Sequence, residues 1–460
     1  MFILDNNQGV PLFKQLYLQI REQALSGKLP EHAKLPSVRD LAAELSISRN
    51  TVEAAYQELH AEGYIYSRQR SGYFVSALDH DVSPLTMTFN PQRQNRRAHY
   101  PYDFHPARLD PDSFPLALWR TCFLECLREG SRELSTYGPF LGDWGLRSNI
   151  WKYLEHSRGV ICGPDQIVIC SGLQHGLDLV AHLLKEQHSS VAVENPGYHL
   201  PRAVFRNNRF DIVPITVGPG GIDLEMLRTG GSTIAYVTPS HQMPMGYVMP
   251  IADRRKLIEW AGSGNNLIIE DDYDSELRHH GKPIPSLQGL WPCGNIIYLG
   301  TFSKILSPAL RLSYMVLPEA LLARFLEQYN DYFSTVSLLE QRTMAKFMEQ
   351  GHWVRHIRRM RILYKRKHDA LIESIRGAFG AKAAVIGQGA GLHVVLQLLA
   401  QNPGEAEIIR RAAQNGIGLF PFSATCATDK PADTNLLLGF GGMTTLELEQ
   451  GIFLLAQSCF

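Results

Sequence analysis

Between about residues 160 and 320 the chain alternates short apolar runs with helical segments, and no other feature constrains its fold as strongly. The runs are Gln166-Ile167-Val168-Ile169-Cys170, Val191-Ala192-Val193, Thr233-Ile234-Ala235-Tyr236-Val237, Leu267-Ile268-Ile269 and Asn295-Ile296-Ile297-Tyr298-Leu299. They are too short for helices and too uniformly apolar for strands with one wet face. Runs of this kind fit a mostly parallel sheet covered on both faces by helices, such as the one expected from Ile251 to Ala261. Beyond Leu317 a long helical region is expected, then a mixed α/β ending from about Gly391.

Parallel sheets gather ligands at the carboxyl ends of their strands, and the loops after these runs carry chemistry. Ser171-Gly172-Leu173-Gln174 joins a strand to a helix, so its amides and the helix dipole make a phosphate cradle. Glu270-Asp271-Asp272-Tyr273-Asp274 is expected to follow the strand 267–269. Thr301-Phe302-Ser303-Lys304, with Arg311 beyond, adds hydroxyls, an amine and a guanidinium. Pyridoxal phosphate (PLP) needs such a set: a lysine to form an imine, an acid to keep the pyridine nitrogen protonated, and donors for the phosphate.

The first 78 residues follow other rules. Leu12, Phe13, Leu16, Ile20 and Leu25 form a helical stripe. Ser37-Val38-Arg39-Asp40 starts a second helix with a hydroxyl cap and an acid three residues on. Ser46-Ile47 makes a turn. A third helix from near Ser48 carries Val52, Ala55, Tyr56 and Leu59 on one face and stops before Gly63. Residues 64–75 then read as a hairpin with a basic turn. Ser48, Arg49, Asn50 and Thr51 place polar and basic side chains in the first turn of the third helix, the end that enters a major groove. Arg39 can clamp a phosphate, and Arg68 and Arg70 can reach a neighbouring groove or backbone.

Residues 79–103 lose apolar periodicity and read as a linker. Three parts are therefore expected: 1–78, 79–103 and 104–460, the last with a large subdomain over about 160–320 and a small subdomain from the remainder. Lys plus Arg and Asp plus Glu both number 45 over the 460 residues. Residues 1–78 hold eight basic and eight acidic side chains, so the basic face must be local and a single copy should bind DNA weakly. The first residues do not read as a signal peptide, and no apolar stretch reaches membrane-spanning length. The seven scattered cysteines fit reduced thiols in a cytoplasmic protein.

Leu35-Pro36-Ser37-Val38-Arg39-Asp40-Leu41-Ala42 followed by Ser48-Arg49-Asn50-Thr51-Val52 resembles the winged helix-turn-helix of the GntR family. Tyr137-Gly138-Pro139, Gly142, Leu146, Arg147, Ser171 to Gln174, Glu194-Asn195-Pro196-Gly197-Tyr198, Thr238-Pro239-Ser240-His241-Gln242, Glu270 to Tyr273 and Ser303-Lys304 resemble, in that order, fold-type I aminotransferases. Together they resemble MocR-type regulators, in which an α+β winged helix precedes an α/β PLP-dependent transferase-like fold (fold type I). The resemblance implies that Lys304 holds PLP as a Schiff base, that Asp271 pairs with the pyridine nitrogen and that Tyr273 meets the ring hydroxyl. Tyr198 would lie on the ring face. Gly172, Leu173, Gln174, Thr301, Ser303 and Arg311 would hold the phosphate, and Tyr137 would come from the partner subunit of a head-to-tail homodimer. It further implies double-stranded operator DNA as partner, and PLP or an amine or amino acid as effector. The alternative is an active aminotransferase with an appended DNA-binding domain.

Two positions depart from the aminotransferase pattern. Met243 stands where those enzymes place an asparagine beside the ring hydroxyl. Leu437 stands where they place the arginine that grips a substrate carboxylate as a fork. Two further features carry no site. His352 and His356 have helical metal-ligand spacing without a third ligand, and with Arg358 to Lys367 they read as a solvated basic helix. His279-His280 reads as a loop.

Overall fold

The computed structural model describes residues 2–5, 9–77, 99–129, 135–279, 284–292, 294–428 and 433–460. The chain divides into two compact units, Met1–Arg96 and Arg97–Phe460. Residues 79–98 of the expected linker lie outside the described range. At its far end, Tyr102–Asp103 is a short strand paired in parallel with Ile417–Gly418, so those residues belong to the second unit.

In the first unit, helices Leu12–Leu25, Val38–Glu44 and Arg49–Ala61 precede the antiparallel pair Ile65–Arg68 and Gly72–Val75. Leu16, Ile20, Leu41, Val52, Tyr56, Leu59, Ile65 and Val75 close one apolar core. The Ser37 hydroxyl accepts from the Asp40 amide at 3.2 Å, and the Ser48 hydroxyl from the Thr51 amide at 3.1 Å. These caps fix where the second and third helices begin.

Among the described residues the second unit holds an eight-stranded sheet. Its spatial order is Ile167–Cys170, Ser313–Val316, Ile296–Thr301, Leu267–Asp272, Ile234–Val237, Ser190–Asn195, Asp211–Gly218 and Gly221–Ile222. Ser313–Val316 runs antiparallel to both neighbours, and Gly221–Ile222 is antiparallel to Asp211–Gly218. The remaining pairs are parallel. Helices Leu173–Leu184, His199–Asn207 and Glu319–Tyr329 contribute to one apolar layer, and Ile251–Ala261 to the opposite one. The five strands expected from sequence are present. Those at 211–218 and 313–316 escape sequence reading: Asp211, Pro214 and Thr216 break the first, and Ser313 shortens the apolar run of the second.

Glu270, Asp271 and Asp272 lie within the strand Leu267–Asp272 and not after it, because all three carboxyls are buried and individually partnered. The smaller subdomain contains a three-stranded antiparallel sheet of Ala383–Ile386, His393–Leu398 and Asn435–Gly439. The long helix His352–Phe379 and the helix Thr445–Cys459 share its apolar core. That long helix is not simply a solvated basic one. His356 is buried with Nε2 2.8 Å from the Ile305 carbonyl, and Lys367 is buried against Asp110 at 2.6 Å. Arg358 and Arg366 occupy its exposed face. His279 is also buried, its ring stacked on His368 at 4.4 Å, with burial holding it down at about 4. His280 lies outside the described residues.

Candidate functional site

Strand topology brings five carboxyl ends to one edge of the large sheet, after Cys170, Asn195, Val237, Asp272 and Thr301. The expected PLP residues sit there. Gly172 caps the helix Leu173–Leu184 with φ +80°, and a β-carbon built on it would stand 2.2 Å from Nη2 of Arg311. The guanidinium thus overlies the first amides of an apolar-packed helix, and the two form one anion cradle. Ser303 donates its amide to the Thr301 hydroxyl at 3.1 Å, folding the Thr301–Lys304 turn back on itself. Gln174 is exposed and Leu173 half-buried at the start of the helix.

Lys304 Nζ reaches the Pro106 carbonyl at 3.1 Å and stands 5.8 Å from the Tyr273 ring centre. Burial pulls its amine below the ordinary lysine range, while Asp274 and Asp271 oppose that pull. A lysine with a depressed pKa is the more nucleophilic one at neutral pH.

The acids after Ile269 separate by their partners. Glu270 accepts from the Leu287 and Gln288 amides at 2.8 and 3.1 Å. Asp272 takes the Arg158 guanidinium at 2.6 Å and the Tyr298 hydroxyl at 2.5 Å. Asp274 is held by His241 at 2.8 Å. Asp271 receives a short hydrogen bond from the Tyr236 hydroxyl, and no cation pairs with it among the described residues. Burial lifts its carboxyl to about 7, against that hydrogen bond. A buried acid short of a positive partner fits a protonated pyridine nitrogen. Tyr198 begins the helix His199–Asn207, and its hydroxyl responds to both Asp271 and Arg311, burial having raised it to about 12. It therefore lies within electrostatic range of both the acid and the Arg311 guanidinium. The donors, the acid and the amine fit PLP.

Tyr137 is 80% exposed and stacks on Phe333 at 4.4 Å. No contact joins it to the Lys304 cluster of its own chain among the described residues. Tyr236, Glu194, His241 and His393 are further buried site residues that sequence reading did not assign. Glu194 accepts from the Thr238 amide and hydroxyl and from Gln242. Glu194 and His241 lie in stretches that resemble aminotransferases, but Tyr236 is one residue of an apolar strand run and carries no such signal.

The two departures come together. Leu437 is buried with Val395 and Phe422 in a small apolar cluster, and Met243 packs against it with Met245, Ile386, Phe420 and Cys426. Leu437 pairs with Phe420 through an isolated bridge as well. The position that the resemblance assigns to a carboxylate grip is filled with hydrocarbon and sulfur.

In the first unit, Arg39, Arg49 and Asn50 are exposed, and their side chains make no hydrogen bond or ion pair among the described residues. The Ser48 and Thr51 hydroxyls bond each other at 2.8 Å, and Ser48 also caps the start of the helix. Arg68 lies over the Tyr66 and Phe74 rings, and Arg70 occupies the hairpin turn at φ +64°. Glu58 is tied to Lys14 at 2.8 Å and Glu62 bonds Tyr17, which keeps two of the eight acids on the first helix.

Residues 12–75 match the family described as bacterial regulatory proteins, gntR family, and residues 112–433 match aminotransferase class I and II. An HTH-type transcriptional regulator of Bacillus subtilis, YdeL, is 39% identical over 98% of this chain and 97% of its own. The probable rhizopine catabolism regulatory protein MocR of Rhizobium meliloti is 32% identical over 98% and 94%. The HTH-type pyridoxine biosynthesis transcriptional regulator PdxR of Corynebacterium glutamicum is 29% identical over 95% and 94%. Among solved structures, the α-aminoadipate aminotransferase LysN of Thermus thermophilus superposes with a TM-score of 0.70 at 24% identity, over 77% of this chain and 91% of that one.

Proposed function

The chain belongs to the MocR-type branch of the gntR family, PLP-dependent regulators of transcription that bind operator DNA, and from that membership we propose that a small molecule engaging the cofactor at Lys304 changes its grip on DNA. One observation carries the reading. The cofactor set of Lys304, Asp271 and the Arg311–Gly172 cradle is kept, while Leu437 and Met243 fill an apolar cluster where a carboxylate grip belongs.

When bound, PLP supplies an electrophilic carbon and an electron-withdrawing ring. The chain's own residues do the rest. Lys304 offers an amine poised by burial, Asp271 would hold a proton at the ring nitrogen, Tyr198 would cover a ring face, and Arg311 with the helix-start amides after Gly172 would hold the phosphate. With no arginine at 437, the favoured effectors are PLP itself or an amine lacking a carboxylate that must be clamped. The buried leucine speaks against the second reading, a working aminotransferase.

A dimer is part of the proposal. The winged helix is charge-neutral as a whole, so affinity for DNA has to come from two copies reading two half-sites. Exposed Tyr137, Tyr332 and Phe333 supply an aromatic face suited to a second subunit. Effector binding and DNA binding must then change together, by linkage.

The test is titration of the full-length protein against its adjacent intergenic DNA, with and without PLP and a panel of amines. A change in apparent Kd of about fivefold or more with one of them supports the reading. Identical curves throughout overturn it. Steady turnover of amino donors with a keto acid, lost in Lys304→Ala, would establish the enzyme instead.

A further inference from the structure

The pair His241–Asp274 has no part in the reading above, yet it is built into the same edge of the sheet. His241 Nδ1 lies 2.8 Å from Asp274 Oδ2 and 3.1 Å from the Tyr273 hydroxyl. His241 is 1% exposed and Asp274 2%. His241 Nε2 and Asp274 Oδ1 are buried with no hydrogen-bond partner among the described residues. Unpaired buried polar atoms are rare and need an explanation. The chain also closes tightly on the pair. Gly391 sits at φ +74°, and a β-carbon there would stand 2.2 Å from His241 Cε1 and 2.5 Å from Asp274 Oδ2.

The hydrogens follow from the chemistry of the groups. An ionised carboxylate only accepts, so Nδ1 carries its hydrogen and aims it at Asp274. The Tyr273 oxygen, beside the same nitrogen, takes a share of that hydrogen as an acceptor. Its own O–H is then left for another partner. The Tyr273 ring centre is 5.8 Å from the Lys304 amine, and a ring oxygen of a cofactor attached at Lys304 would offer that O–H an acceptor. In aminotransferases an asparagine shares that duty. Met243 has no donor and packs against the apolar cluster.

We propose that His241, held by Asp274, is a positioning residue that turns the Tyr273 hydroxyl outward as hydrogen-bond donor to the cofactor's ring oxygen, supplying the support Met243 lacks. This rests on Lys304 as the point of attachment. The groups facing His241 are Asp274 and Tyr273 on the segment after Asp272, His393 on the strand 393–398 with ring centres 5.0 Å apart, and His279. Lys304 acts on His393 from beyond.

The experiment uses the full-length, PLP-loaded protein and follows its visible absorbance against pH. A donor to the ring oxygen lowers the midpoint of the band change, so losing it raises the midpoint. His241→Phe should raise it by about half a pH unit or more, the size expected of one buried hydrogen bond. Asp274→Asn should move it the same way, and His241→Asn, which keeps an N–H near Nδ1, should move it less. In a Tyr273→Phe background, His241→Phe should add nothing. If His241→Phe fails to fold by circular dichroism, Asp274→Asn in the two backgrounds decides. An unshifted midpoint, or an equal shift with and without the Tyr273 hydroxyl, overturns the inference alone. A wild type with no Lys304-dependent band overturns the site reading, and this inference with it.

Discussion

Arg311 lies across Gly172 so closely that its Nη2 occupies the space a β-carbon would need, 2.2 Å away. Gly172→Ala must push the guanidinium off the helix start and strain a backbone at φ +80°. The apparent Kd for PLP should rise about tenfold or more, equivalent to ~1.4 kcal/mol, by absorbance or fluorescence titration. An unchanged Kd would separate Arg311 from the cofactor.

Lys304→Ala should abolish the visible cofactor band. It should also remove most of the rise in melting temperature that PLP gives the wild type, since ligand stabilisation follows affinity for the native state. Differential scanning fluorimetry with and without PLP reads both.

Four buried carboxyls, Glu194, Glu270, Asp271 and Glu276, are each lifted to about 7 by burial. A raised folded pKa means the native state holds protons that the unfolded chain releases near pH 4. The stability these groups give is full below that and is lost as pH rises toward about 7. Cofactor-free Asp271→Asn should therefore lose less stability than the wild type between about pH 4 and 7. Urea midpoints across that window test it, and parallel curves would count against the assignment.

Arg158 and Asp272 are a buried pair at 2.6 Å, with Ser240 and Tyr298 completing it. Arg158→Met leaves the carboxylate uncompensated and should cost about 3–5 kcal/mol. Chemical denaturation of the purified variant measures this.

On the winged helix, Arg49→Ala should weaken operator binding about tenfold or more and relax sequence preference, as loss of a base contact does. Arg70→Ala should weaken binding across sequences and reduce the salt slope by about one. Gel shifts at several salt concentrations distinguish the two.

The strands and their chemistry were legible in the sequence because apolar runs too short for helices lead into Gly172, Asp271 and Lys304, although the strand expected to stop at Ile269 runs on through Asp272. The third helix was legible through its cap. What stayed hidden were partnerships across distance. Tyr236 looks like one more strand residue until the fold sets it against Asp271, 35 positions away. His241 meets Asp274 across 33 positions. The buried face of the long helix was hidden too, because Lys367 and His356 look like surface residues until Asp110 and Ile305 arrive beside them.

The apolar cluster around Leu437 shuts the position to charge, with Met243, Phe420 and Phe422 packed about it. An arginine placed there alone would bury a charge without a counter-ion. Several neighbours would have to change with it before catalysis on amino acids offered any advantage. Packing, more than the absence of one charged group, is what resists a carboxylate grip at this position.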